Sequence, residues 1–120
     1  PAAWRRQGSL RVENARTGDV FALGTDLLDD IEQNRAALDI LAAAGRLAIP
    51  SLVVHGEADE AVPLAEGEAI AAALGPRGRL LRIAGAGHTF GAAHPPAPAA
   101  PAALELALAA TLAHFGQHLR

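Results

Sequence analysis

Two short polar runs hold the side chains best suited to acid–base chemistry: His55-Gly56-Glu57-Ala58-Asp59-Glu60-Ala61-Val62-Pro63 and Gly85-Ala86-Gly87-His88-Thr89-Phe90. The pair of interest is Asp59 and His88. A carboxylate that accepts a hydrogen bond from one imidazole nitrogen fixes the tautomer of the ring. The other nitrogen is then available as a general base toward a hydroxyl. Each polar run follows an apolar one, Ser51–Val54 and Arg79–Ile83. In an open parallel sheet, the carboxyl ends of neighbouring strands bring their loops to one edge, where an acid and a histidine can meet.

Plainer roles exist for the same residues. An Asp in a Gly-x-x-Asp loop also serves as a turn residue or helix N-cap, and a histidine after Gly-Ala-Gly also serves as a surface residue. Glu57 is the alternative acid, and Glu60 reads as a solvated charge near a helix N-terminus. His55 reads as a packing residue with its ring hydrogen-bonded to backbone. His94, in a proline-rich stretch, reads as exposed, at most lining a substrate edge. His114 and His118 lie one helical turn apart, a spacing that can bind a metal. No carboxylate accompanies them in sequence, so they read as a wet helix face, and no cofactor or metal is expected. Asp29, Asp30 and Glu32 read as a solvated acidic face.

The elements that must position Asp59 and His88 are legible from patterning. Gly8 to Leu23 reads as a β-hairpin: Leu10 and Val12 alternate with Arg11 and Glu13, and Val20 resumes after the turn Ala15-Arg16-Thr17-Gly18. Thr25 or Asp26 caps a short helix with Leu27, Leu28 and Ile31 on one face. A second helical stretch carries Leu38, Ile40, Leu41 and Ala44 and ends near Gly45. Pro50 opens the run Ser51-Leu52-Val53-Val54, which reads as a fully buried parallel strand. Pro63 starts a helix running through Ile70 and Leu74 to Gly75, and Arg79–Ile83 reads as a second buried strand. Strand, helix and strand at this spacing make a βαβ unit. A loop rich in Pro and Ala follows (Pro95, Pro96, Pro98 and Pro101). Ala102–Leu119 reads as a helix with Leu104, Leu108, Leu112 and Phe115 on its packing stripe.

Ile49-Pro50-Ser51-Leu52-Val53-Val54-His55-Gly56-Glu57-Ala58-Asp59-Glu60-Ala61-Val62-Pro63 resembles the acid-bearing strand of α/β-hydrolases, and Gly85-Ala86-Gly87-His88 resembles their histidine turn. The order acid-then-histidine matches the family as well. The resemblance covers roughly residues 46–120, and it is greatest to the dienelactone-hydrolase and prolyl-oligopeptidase-like branch. It implies an α/β fold class: a partial α/β-hydrolase fold with two C-terminal parallel strands and flanking helices, preceded by a β-hairpin and short helices. Residues 1–47 would be a hairpin and helical cap-like insertion, and 48–120 the C-terminal segment with the triad acid and histidine. It implies Asp59 as orienting acid and His88 as base in a Ser-His-Asp triad that cleaves a small-molecule ester or a peptide.

The family's nucleophile elbow, G-x-S-x-G, is not found: the only serines are Ser9 and Ser51, and neither lies in such a motif. The oxyanion-hole donors are not found either. The expectation is therefore a fragment whose first strands lie upstream of residue 1, with the N-terminal hydrolase segment as its partner and no acyl transfer by this chain alone. The chain has no methionine at its start, or anywhere else. The alternative is an interaction module, a homo-oligomer formed through an exposed sheet edge.

Composition narrows the remaining classes. With 120 residues, 51% of them hydrophobic, the chain suffices for one small domain. Its core would be aliphatic, since Trp4, Phe21, Phe90 and Phe115 are the only aromatics. A net charge of −3 with no basic stripe gives nucleic acid no electrostatic footprint. With no cysteine, disulfides and thiolate metal sites are excluded. No apolar run is long enough for a transmembrane helix, and Pro1–Arg6 lacks the apolar run of a signal peptide, so a cytoplasmic location is expected.

Overall fold

The computed structural model describes residues 1–14 and 17–119. The chain divides into two compact units, Pro1–Asp39 and Ile40–Arg120. The division falls ahead of the 47/48 boundary drawn from sequence, because helix α3 (Ile40–Arg46) packs on helix α4 (Leu64–Leu74).

In the first unit, strands β1 (Ser9–Glu13) and β2 (Val20–Gly24) pair antiparallel from Ser9 opposite Gly24 to Glu13 opposite Val20. Asn14 N–H donates to Asp19 O at 2.8 Å and Gly18 N–H to Asn14 O at 2.8 Å, closing the connection, with Gly18 at φ 73°. Ala15 and Arg16, half of the turn expected from sequence, lie outside the described residues. A helix that patterning did not suggest, α1 (Ala2–Gln7), precedes the hairpin and ends on Gly8 in the left-handed region. Its six residues are too short for periodicity to register, and it is held by remote partners: Trp4 Nε1–H donates to Leu23 O at 3.0 Å, and Arg5 pairs with Asp29 and Glu32. Helix α2 (Asp26–Gln33) starts after Thr25 as expected, but the Thr25 hydroxyl makes no cap bond. Of its apolar face only Leu28 is buried; Leu27 and Ile31 are exposed. Its acidic side is not simply solvated, since the Arg5 guanidinium donates to Asp29 at 2.7 Å and to Glu32 at 2.8 Å. These carboxylates raise the Arg5 pKa.

In the second unit, strand β3 (Ser51–Gly56) pairs parallel with β4 (Gly78–Ile83), in register from Ser51 opposite Gly78 to Gly56 opposite Ile83. Helix α4 makes the crossover and begins one residue later than expected, with Pro63 as its N-cap residue. Gly78 marks a close approach: a Cβ there would lie 2.6 Å from Leu74 Cβ. Successive strand residues face opposite sides. Val54 packs with Ile83 and Leu81 against Ala103 and Ala107 of helix α5 (Ala102–His118), whereas His55 lies against Gly67 of α4. The two helices therefore cover opposite faces of the pair. This is the α/β arrangement expected from sequence: two parallel strands with flanking helices, preceded in the chain by a hairpin and short helices.

Two burial expectations are corrected. Strand β3 is half-buried through Ser51–Val54, and only His55 and Gly56 are buried, because β3 and β4 pair only with each other among the described residues. On α5 the buried residue is Ala107, with Ala103 packed beside it, while Leu108, Leu112 and Phe115 are exposed. Small side chains let the helix backbone approach the sheet, and of the expected stripe only Leu104 is half-buried. No helix among the described residues is long and apolar enough to cross a membrane. Leu74 is 2% exposed and Leu112 70% exposed. Leu74→Ala is therefore expected to cost about 2–5 kcal/mol in urea denaturation, and Leu112→Ala to stay within about 0.5 kcal/mol of the parent.

Candidate active site

The two polar runs meet because the strands that precede them are hydrogen-bonded neighbours. Beyond Gly56 the loops are laced together, with Glu57 N–H donating to Ile83 O at 3.0 Å and Ala58 N–H to Ala86 O at 2.9 Å. Gly56 permits this crossing, since a Cβ there would collide with the carbonyl oxygens of Ala86 and Gly87. Gly85 turns the second loop at φ 67°. Phe90 also takes a left-handed conformation, φ 54°, although it is not glycine, and its N–H donates to Gly87 O at 3.1 Å. Such a residue costs of order 1–3 kcal/mol and persists only where its surroundings fix it. Here it ends the turn that presents His88.

The Asp59 side chain is 6% exposed, and its two oxygens have separate partners. Oδ1 accepts the backbone N–H groups of Ala61 and Val62, each at 2.9 Å. Oδ2 lies 3.0 Å from His88 Nδ1. The turn-forming role weighed from sequence is thus real and belongs to one oxygen, while the other faces the histidine. A carboxylate can only accept, so Nδ1 carries the proton and Nε2 is the basic nitrogen. The His88 side chain is 58% exposed, which leaves that nitrogen accessible from outside. The Asp59 carboxyl is held below its ordinary pKa, chiefly by the Val62 N–H and further by His88 and the Ala61 N–H, with partial desolvation opposing them.

His55 was expected to pack with its ring bonded to backbone. It does, since its Nε2 sits 2.9 Å from Val62 O. The same nitrogen lies 3.6 Å from Asp59 Oδ2, a proximity with no signal in the local sequence. Val54, His55, Gly56, Asp59, Val62, His88 and Phe90 line a cavity of about 270 Å³. Glu57 and Glu60 are both exposed, and the carboxylate at the histidine is that of Asp59. The His114 and His118 ring centroids are 4.7 Å apart on α5. Among the described residues no group of three or more His, Asp or Glu is placed to hold a metal. His94 is exposed.

Chemically, the pair can take a proton from a hydroxyl brought to His88 Nε2 and stabilise the imidazolium that results. Ser51 does not supply that hydroxyl. It starts β3, at the opposite end of the strand from Gly56, and its Oγ–H donates to Ile49 O at 3.1 Å. Ser9 belongs to β1 in the other unit. The Thr89 hydroxyl, next in sequence to His88, donates to Ala92 O at 3.0 Å.

The lowered pKa fixes the sign of one pH effect. A carboxyl whose folded pKa lies below its unfolded value of about 3.9 stabilises the fold fully above that value and loses the contribution as pH falls through the folded pKa. Urea denaturation of the parent and Asp59→Asn between pH 7 and pH 2 is expected to show a constant stability difference above about pH 4 that shrinks toward the acid end. A difference independent of pH across this range would contradict the ionised, hydrogen-bonded state of Asp59.

A family model described as TAP-like protein, an α/β-hydrolase model, matches residues 31–112. The match spans more than half of the chain and includes Asp59 and His88 together with the strands that carry them. No curated protein matches the chain. The parallel pair with its flanking helices and the extent of this match together place the chain in the α/β-hydrolase family of TAP-like proteins.

Proposed function

We propose that this chain is the acid- and histidine-bearing part of a serine hydrolase that cleaves an ester or peptide bond, with Asp59 as orienting acid and His88 as general base. The observation that carries the reading is the 3.0 Å hydrogen bond between an enclosed Asp59 oxygen and the ring of an exposed histidine. In the reaction, His88 Nε2 takes the proton of a serine hydroxyl as its oxygen bonds to the carbonyl carbon of the substrate. The imidazolium, stabilised by Asp59, then gives that proton to the departing alkoxide or amine as the carbon–heteroatom bond breaks. Water repeats the sequence and releases the acid. The serine comes from a segment outside these residues, as do the oxyanion donors. Within the family, the motif around Asp59 favours the dienelactone-hydrolase and prolyl-oligopeptidase-like branch and therefore a small ester or a short peptide.

The test is the coding sequence directly upstream. A G-x-S-x-G motif within roughly one hundred residues is expected. In the joined protein, with little change in KM, His88→Ala is expected to lower kcat by about 10⁶-fold and Asp59→Asn by about 10⁴-fold. The 120-residue chain alone is expected to give no esterase turnover. Turnover by that chain, lost in His88→Ala, would overturn the division of the triad between segments.

A second reading is favoured by one observation: β3 and β4 pair only with each other among the described residues, and Leu106, Leu108, Leu112 and Phe115 of α5 are exposed. In that reading the chain self-associates through this surface. Light scattering that reports a monomer over a hundredfold concentration range would exclude it.

A further inference from the structure

We propose that His55 is the positioning residue for Asp59, holding the carboxylate so that Oδ2 meets His88 and Oδ1 stays on the loop. The inference rests on the acid–base reading of Asp59 and His88. Three features of the His55 environment carry it.

The ring bridges three elements. His55 belongs to β3, its Nε2 sits 2.9 Å from Val62 O in the loop before α4, and its other edge lies against α4. A carbonyl oxygen only accepts, so Nε2 carries the proton. Val62 is then fixed from both sides, because its N–H donates to Asp59 Oδ1 at 2.9 Å while its C=O accepts from His55. The loop that supplies the Asp59 hydrogen bonds is therefore tied back to the strand by this imidazole.

The same N–H edge faces the carboxylate. At 3.6 Å from Oδ2 it is too long for a second strong bond, but it adds a favourable dipole beside the oxygen that His88 uses. The shorter contact of Oδ2, at 3.0 Å, is the one to His88.

The site is shaped to hold an imidazole. Gly67 of α4 faces the ring, and a Cβ built there would lie 2.6 Å from His55 Nδ1. Gly67 is buried within a helix, where glycine is unfavourable by about 1 kcal/mol relative to alanine. The space it leaves is filled by His55.

The test is the tautomer of each histidine in the 120-residue chain, read from long-range ¹⁵N–¹H correlation spectra at neutral pH. In the parent, His55 is expected as the Nε2–H form and His88 as the Nδ1–H form. His55→Gln keeps a side-chain N–H donor and is expected to leave His88 in that form. His55→Leu removes the donor, and Gly67→Ala drives the ring out. Both are expected to turn the single His88 form into a mixture of tautomers. A merely structural His55 would lower stability in these variants without moving the His88 signal.

Asp59→Asn separates this inference from the reading beneath it. If Asp59→Asn leaves the His88 tautomer unchanged, the acid–base pair itself fails. If it scrambles His88 while folded His55→Leu and Gly67→Ala do not, the pair stands and the role of His55 is overturned. Should both variants fail to fold, an Nδ1–H tautomer of His55 in the parent overturns it, and an Nε2–H tautomer together with a parent-like His88 in His55→Gln supports it.

Discussion

An enclosed carboxylate stays ionised only where donors replace the water it has lost. Asp59 meets that condition with backbone N–H groups on one oxygen and a histidine on the other. The backbone donors come from its own loop, so the loop must curl back over it. The histidine comes from 29 residues further along, so a second loop must be brought alongside. The rest of the second unit can be read as the means of satisfying both requirements at once.

Parallel pairing of β3 with β4 sets the two loops at one edge, and α4 is the crossover that parallel pairing demands. Glycines appear where the approach is closest. Gly56 lets the histidine loop cross the end of β3, Gly78 admits Leu74, and Gly67 admits the His55 ring. The helix on the other face follows the same rule with alanine, since Ala103 and Ala107 of α5 pack against Val54, Leu81 and Ile83. The site is thus supported by close backbone packing more than by large side chains.

That choice has a consequence for the surface. Alanine-mediated packing buries little apolar area, and Leu106, Leu108, Leu112 and Phe115 of α5 stay exposed. A surface that apolar resembles a site of association more than a finished exterior. In an α/β-hydrolase, further strands beside β3 and β4 would extend the sheet. The proposed division of the triad accords with this geometry: Asp59 and His88 lie on the loops that follow these two strands, and a nucleophile would have to come from elsewhere.

The order and kind of the elements around the site follow from residue patterning alone. Proline, apolar run and glycine bounded each strand, and a βαβ spacing implied that the ends of the strands would be neighbours. Asp59 and His88 were legible for that reason, as were the hairpin and the backbone-bonded ring of His55. Helix α1 was not, because six residues carry too little periodicity and Trp4 is anchored by a carbonyl far along the chain. The packing face of α5 was not either. Periodicity shows that Leu108, Leu112 and Phe115 share a stripe, but which stripe meets the sheet depends on how closely two backbones can approach. Packing in three dimensions places Ala103 and Ala107 at that contact. It likewise decided that the two Asp59 oxygens are divided between the loop and His88, with His55 Nε2 nearby, because that division depends on distances between loops that are remote in sequence.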